Sequence, residues 1–253
     1  MQRYREDKID RVRELAMLVL QRVHTEGAYA NVALAQTLRD TVLAERDRRF
    51  LTELVYGVTK AGESLDYMIG QYVADIRKAQ PAIRELLRLG FYQIFVMDRV
   101  PPSAACNTAV ELAKKHGRRG ADSFVNGVLR AALRAPERAA LPTGRDARAL
   151  ALRSWHPAWM VERWMRAYGY ERTEALCLCN NTSAPLSVRV NTLRMNRSAL
   201  MEQFVVAGAE ARASQWVPDG IVLHAHGALD DLPPLRAGLA QVQDESSMLV
   251  AHV

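Results

Sequence analysis

The sequence is short of lysine, cysteine and glycine-rich turns, and each shortage removes a class of protein. Only five lysines (Lys8, Lys60, Lys78, Lys114 and Lys115) stand among 34 basic residues, so the positive charge is almost all arginine. Cys106, Cys177 and Cys179 are too few and wrongly spaced for a disulfide framework or a zinc site. The histidines, His24, His116, His156, His224, His226 and His252, show no ligand spacing with carboxylates or cysteines, and no metal is expected. No run approaches the roughly eighteen apolar residues that a membrane span needs. The opening, MQRYREDKIDRVREL, is charged from its first residues and lacks a secretory stretch. No membrane association and a reducing cytoplasm are the expectations. Neither an internal repeat nor a low-complexity tract is present.

What is there can build a core. The 253 residues are 49% hydrophobic and 25% charged, which suits two domains and excludes a disordered chain. The net charge of +6 is uneven. Residues 1–181 hold 29 Lys and Arg against 21 Asp and Glu, whereas residues 182–253 hold 5 against 7. Arginine offers phosphate a planar fork of donors and stacks on bases. A high-GC coding bias that writes arginine on ordinary solvated faces explains the same composition.

The first ~140 residues read as consecutive amphipathic helices with a 3.6-residue apolar period. In Ile9–Val23 the apolar residues Ile9, Val12, Leu15, Ala16, Val19, Leu20 and Val23 recur at three- and four-residue steps. Further helices are expected over Asn31–Leu43, Asp47–Lys60, a short one capped by Ser64 and ending at Val73, Ala82–Val96, Ala104–His116 and Asp122–Leu133. Ala135–Gly144, with two prolines and a glycine, is the linker candidate. Helices over Asp146–Ser154, Ala158–Tyr168 and Glu171–Asn180 follow. After Pro185 the period changes to two: Leu186, Val188 and Val190 share one face of a strand, Ser187, Arg189 and Asn191 the other. A helix capped by Ser198 and strands near Ala209–Ala213, Gly220–Ala225 and Ala240–Gln243 complete a small α+β module.

Two segments are specific. LRLGFYQIFVMDRVPPSAACNTAVELAKKHG at Leu87–Gly117, followed by FVNGVLR at Phe124–Arg130, resembles the NusB-like RNA-binding fold. LSVRVNTLRMNRSAL at Leu186–Leu200, with GLAQVQDESSMLVAHV at Gly238–Val253, is similar to the region just before the methyltransferase fold in the RsmB (Sun/Fmu) family. That family makes 5-methylcytosine in small-subunit ribosomal RNA. The resemblance implies a mainly α chain: a NusB-like all-α helical bundle at 1–140, a helical linker segment at 141–182, and a small RRM-like α+β module at 183–253. It also implies rRNA as the partner and S-adenosylmethionine as the cofactor of the full-length parent.

Several residues are candidates for RNA contact. Lys114, Lys115, His116, Arg118 and Arg119 bunch at a helix end, where cations either offset the helix dipole or contact phosphate. The NusB-like fold also holds RNA near its first helix, a position matched here by Arg3, Arg5, Arg11 and Arg13. Arg189 and Asn191 present polar groups on a strand face, as an ordinary half-exposed strand does and as a sheet reading single-stranded RNA does. Asn126 and Gly127 sit mid-helix although both are poor helix formers. A close helix approach at the glycine and an amide bonded to backbone are the expected reasons. Gln243–Ser247 is the expected connection to a catalytic domain, with Ser246 as a helix cap.

The resemblance also shows what is missing. In the family the catalytic cysteines lie in Pro-Cys and Thr-Cys contexts, and a glycine-rich strand-to-helix turn opens the cofactor pocket. None of the three cysteines follows Pro or Thr, and free cysteines on helices are usually buried hydrophobes. No catalytic residue and no cofactor is therefore expected within this chain. The expected function is RNA recognition for a cytosine-C5 methyltransferase, with no methyl transfer by the chain alone. A stand-alone NusB-like antitermination factor is the alternative, and a helical protein adaptor is a third reading.

Overall fold

The computed structural model describes residues 10–224, 229 and 232–252; the candidates Arg3 and Arg5, and His226, lie outside them. The chain divides between Asn181 and Thr182 into two compact units.

The first unit is helical. α1 (Arg11–Glu26) starts at Asp10, whose carboxylate accepts from the Arg13 amide at 3.0 Å, and ends at Gly27, where φ is 70°. α2 (Ala30–Asp40) leads into α3 (Glu45–Gly70), a single helix where two were expected. Ser64 is no cap. It is buried, and its hydroxyl donates to the Leu152 carbonyl at 2.6 Å, while the apolar period runs on through Leu65, Met68 and Ile69. Local chemistry at Ser64 suggested a start, but the uninterrupted buried stripe decides for one helix. α4 (Pro81–Phe95) and α5 (Pro102–His116) each carry proline in the first turn, where a missing N–H leaves nothing unsatisfied. α6 (Ala121–Arg134) closes the bundle, whose core centres on Leu51, Leu54, Leu87, Phe91, Leu112 and Leu129.

Residues 135–144, expected as a linker, are tied to this bundle. A 3₁₀ turn at Pro136–Ala139 buries Ala139, and the Tyr72 hydroxyl donates to the Ala135 carbonyl at 2.6 Å. The Arg138 guanidinium lies 4.9 Å from the Tyr72 ring centroid. α7 (Ala147–Ser154) and α8 (Ala158–Asn181) follow, packing around Leu150, Ala151, Val161 and Cys177. α8 is broken at Gly169 (φ 76°, ψ 175°), the point at which two helices were expected.

The second unit is an α+β module. β1 (Leu186–Val190) precedes α9 (Arg197–Val206), then β2 (Glu210–Ala213), β3 (Gly220–His224), the short α10 (Pro233–Arg236), β4 (Ala240–Val242) and α11 (Glu245–Leu249). Among the described residues the strands form one antiparallel sheet in the order β2-β3-β1-β4. Val188 and Val190 on β1, Ile221 and Leu223 on β3 and Ala240 on β4 pack with Leu200 and Phe204 of α9. Both expected serine caps shift by two residues. Asn196, not Ser198, accepts from the Ala199 amide at 2.8 Å, and Asp244, not Ser246, accepts from the Ser246 amide at 2.8 Å. Asn and Asp rank with Ser as caps, and the capping oxygen must reach an amide two or three residues ahead.

Candidate nucleic-acid interface

The cationic cluster at the end of α5 does not behave as one patch. Glu14, one turn into α1 and only 3% exposed, lies beneath it. Lys115 Nζ reaches Glu14 Oε1 at 2.8 Å, His116 Nε2 reaches the same oxygen at 2.7 Å, and Arg11 Nη1 donates to Glu14 Oε2 at 3.1 Å. Burial pushes the Glu14 carboxyl pKa up, but the hydrogen bonds from Lys115, His116 and Arg11 outweigh it and bring the value down to about 2. One buried carboxylate thus gathers residues of α1 and α5, predicted separately, into a single surface. Lys114 pairs instead with Glu111 at 2.7 Å, and that hydrogen bond raises its pKa above the ordinary lysine value.

Arg13 belongs inside this surface. Its side chain is 13% exposed, its Nε donates to Gln93 Oε1 at 2.5 Å, its guanidinium pairs with Asp10, and its charge sits 4.9 Å from the Phe50 ring centroid. Arg11 and Arg13 border a groove of about 830 Å³ that Arg46, Arg49 and Arg99 also line. These three were passed over in the sequence. The run Glu45–Arg49 alternates sign, and Arg99 is remote in sequence, so only the approach of α3 and the loop after α4 to α1 reveals them. Arg49 pairs with Glu45 at 3.0 Å and Arg99 with Glu53 at 3.4 Å, whereas Arg46 has no carboxylate partner among the described residues.

Arg118 and Arg119 face elsewhere. A Cβ at Gly117 would collide with Ala121 and the Ala113 carbonyl, so only glycine lets the turn after α5 run this close. Gly120, at φ 87°, then opens α6, and the Arg118 amide donates to Gln80 Oε1 at 2.8 Å. The fixed turn holds both arginines on the rim of a mainly apolar groove of about 460 Å³, beside Lys78, Ile83 and Phe124, which is 39% exposed. Neither arginine has a carboxylate partner among the described residues.

The expectations for Asn126 and Gly127 need correction. Nothing lies within 4 Å of a Cβ built at Gly127, which is exposed, so no helix approaches there. The Asn126 amide oxygen accepts from Arg130 Nε at 2.8 Å, a side-chain partner rather than backbone.

On the sheet, Arg189 is exposed opposite Gly220 of β3 and Gln241 of β4. Ser187, on the same face, is buried. Asn191 follows the strand end, where its amide nitrogen donates to the Gly238 carbonyl at 3.1 Å. Both border a pocket of about 580 Å³ within the second unit.

The residues present do not fit an S-adenosylmethionine cradle of the glycine-rich kind. The sheet is antiparallel, and no strand-to-helix passage is glycine-rich: β1–α9 and β4–α11 contain no glycine, and the sequence between β3 and α10 has Gly227 alone. Cys106 and Cys177 are buried, Cys179 is exposed, and burial pushes the Cys106 thiol pKa up, which suits a packed hydrophobe and not a nucleophile. Among the described residues no group of three or more His, Cys, Asp or Glu is placed to hold a metal. No helix is long and apolar enough to cross a membrane among those residues.

Comparison with known proteins accounts for both units. The NusB family matches residues 10–134, and the ferredoxin-like domain described as Methyltr_RsmF/B-like matches residues 156–230. In these two matches the chain is similar to the front part of RsmB-type ribosomal RNA methyltransferases. It is 35% identical over 241 residues to the probable ribosomal RNA small subunit methyltransferase B of Bacillus subtilis (strain 168), covering 95% of this chain and 54% of that protein. The Synechocystis sp. (strain PCC 6803) protein of the same description is 35% identical over 244 residues, with the same shares. The chain therefore spans about half the length of the curated relatives it matches. The crystal structure of PH0851 has the same fold, with a TM-score of 0.66 at 18% identity, over 94% of this chain and 54% of that one. The ferredoxin-like match begins at residue 156, so it takes in α8 of the first unit as well as most of the sheet module.

Proposed function

We propose that this chain is the RNA-binding, substrate-recognition part of a ribosomal RNA methyltransferase acting on cytosine C5 of small-subunit rRNA in the cytoplasm. Residues 1–140 form its NusB-like RNA-binding domain, 141–182 a helical linker and 183–253 a module leading towards a cofactor-binding domain. S-adenosylmethionine would supply the methyl group to the full-length protein. The chain alone transfers none, since its cysteines and strand-to-helix passages suit neither the nucleophile nor the cofactor.

The observation that carries this reading is the arrangement of cations without carboxylate partners on a fixed turn, Arg118 and Arg119, in a NusB-family domain joined to an RsmF/RsmB-like one. Phosphates bind such forks and release counterions in doing so. The second match weighs against a stand-alone antitermination factor, for which nothing beyond the NusB-like part is needed.

A mobility-shift titration with a small-subunit rRNA hairpin at about 50 and 200 mM salt tests it, with affinity expected to fall steeply as salt rises. Arg118→Glu with Arg119→Glu should weaken binding and flatten the salt dependence by about one counterion for each phosphate no longer held. Binding that ignores salt, or that the double reversal leaves untouched, would remove RNA recognition from this turn.

A further inference from the structure

We propose that the pocket on the second unit's sheet accepts a single unpaired nucleotide of an RNA strand, a reading that deepens the RNA-binding function and rests on it. Arg189 stands mid-strand on the face turned away from the Val188 and Val190 core, with no carboxylate partner among the described residues. Its neighbours across the sheet are Gly220 and Gln241. Gly220 has no side chain to crowd the guanidinium, and a Cβ there would press on Ser214. Opposed Cβ atoms on paired strands lie about 5 Å apart, so Arg189 and Gln241 project from neighbouring positions and both line the pocket. Met248, 1% exposed, packs beneath the pocket and fixes its floor.

One wall is held in place before any ligand arrives. The Asn191 backbone N–H donates to the Leu239 carbonyl at 2.9 Å, its side-chain amide to the Gly238 carbonyl at 3.1 Å, and Arg194 Nη1 to the Ala237 carbonyl at 2.5 Å. Gly238 takes φ 67° to allow this. Asn191 is thereby a positioning residue whose donor is already engaged, and Gln241 is the amide left to meet a ligand. Leu193, 97% exposed, lines the pocket too and offers an apolar surface to a base.

The inventory selects the ligand. An unpaired base presents donors and acceptors on its Watson–Crick edge, which a primary amide reads with its own donor and acceptor. Its face is apolar, and the exposed Leu193 offers an apolar surface to it. One guanidinium matches one phosphate or one base acceptor. The carboxylate of Asp219, 3.7 Å from His252 Nε2 in the same pocket, disfavours a polyphosphate and accepts from a ribose hydroxyl or an exocyclic amine. A volume of about 580 Å³ is in the range of small-ligand pockets, and the pocket's concavity suits an extruded nucleotide rather than a continuous duplex.

The test uses the full 253-residue chain and two rRNA-like hairpins, one with a single unpaired 2-aminopurine and one fully paired. Binding should change the 2-aminopurine fluorescence, and Arg189→Met should abolish the change. Gln241→Leu should weaken binding of the unpaired hairpin about tenfold and leave the paired hairpin within about twofold, because only the former engages the amide. Both substitutions are at exposed strand positions and leave the core intact. If the hairpin binds with no fluorescence change, or Gln241→Leu affects both hairpins alike, the pocket assignment is wrong while RNA recognition stands. If neither hairpin binds at any salt, both readings fall.

Discussion

Replacing Glu14 by glutamine tests whether one buried carboxylate organises the junction of α1 and α5. The amide keeps the shape but cannot serve Arg11, Lys115 and His116 with charge-assisted bonds at once. An ordinary glutamate titrates near 4.5 and Glu14 at about 2, a difference worth about 3 kcal/mol at neutral pH. Water reaches the half-exposed side chains of Arg11 and Lys115 and screens their share, so a loss of about 2 kcal/mol is expected. A carboxyl whose pKa is depressed on folding stabilises the protein fully above its unfolded pKa. That stability disappears as pH falls through the folded value. Urea unfolding of wild type and Glu14→Gln at neutral pH should therefore differ by about 2 kcal/mol, and the gap should narrow as pH drops from about 4.5 towards 2. Equal stability at neutral pH, or a gap indifferent to pH, would refute the ion-pair account.

Other substitutions separate packing from recognition. A Cβ at Gly57 would overlap the phenol of Tyr92, so Gly57→Ala should cost about 1–3 kcal/mol by overpacking, read as a lower urea midpoint. Arg88 donates to Glu85 at 2.8 Å and to Asp66 at 2.6 and 2.7 Å, and Glu85 is buried with His24 at 3.0 Å. Arg88→Met should therefore destabilise the bundle by about 3–5 kcal/mol in thermal and urea unfolding, because a buried carboxylate loses its main partner. Gly127→Ala should stabilise α6 by about 0.5–1 kcal/mol in the same assays, since the site is exposed, helical and open; a loss of stability would mean that the glycine is packed against something after all.

Much of the fold was legible because it depends on local periods. The apolar 3.6-residue spacing marked the helices of the bundle, with α3 read as two, and Pro81 placed the start of α4; the change to a period of two after Pro185 placed β1 with Val188 and Val190 inward. Errors arose where local chemistry competed with burial. Ser64 reads as a cap but bonds Leu152 across 88 residues of chain, and Gly127 reads as a close-packed position but faces open space. Ala135–Gly144 has linker composition, yet Ala139, Tyr72 and Arg138 tie it down.

For the site, sequence alone determined which residue types were available: an arginine-rich front, a basic helix end and a polar strand face. Tertiary structure decided which of them act together. It buried Arg13 against Phe50 and Gln93, bound Lys115 and Arg11 to one Glu14, turned Arg118 and Arg119 towards a different groove, and set Gln241 beside Arg189. The physical reason is range. Helix and strand periods are written in neighbours a few residues apart. A carboxylate gathering a lysine and a histidine from about a hundred residues away, or an amide opposite an arginine across a sheet, exists only once the chain has closed on itself.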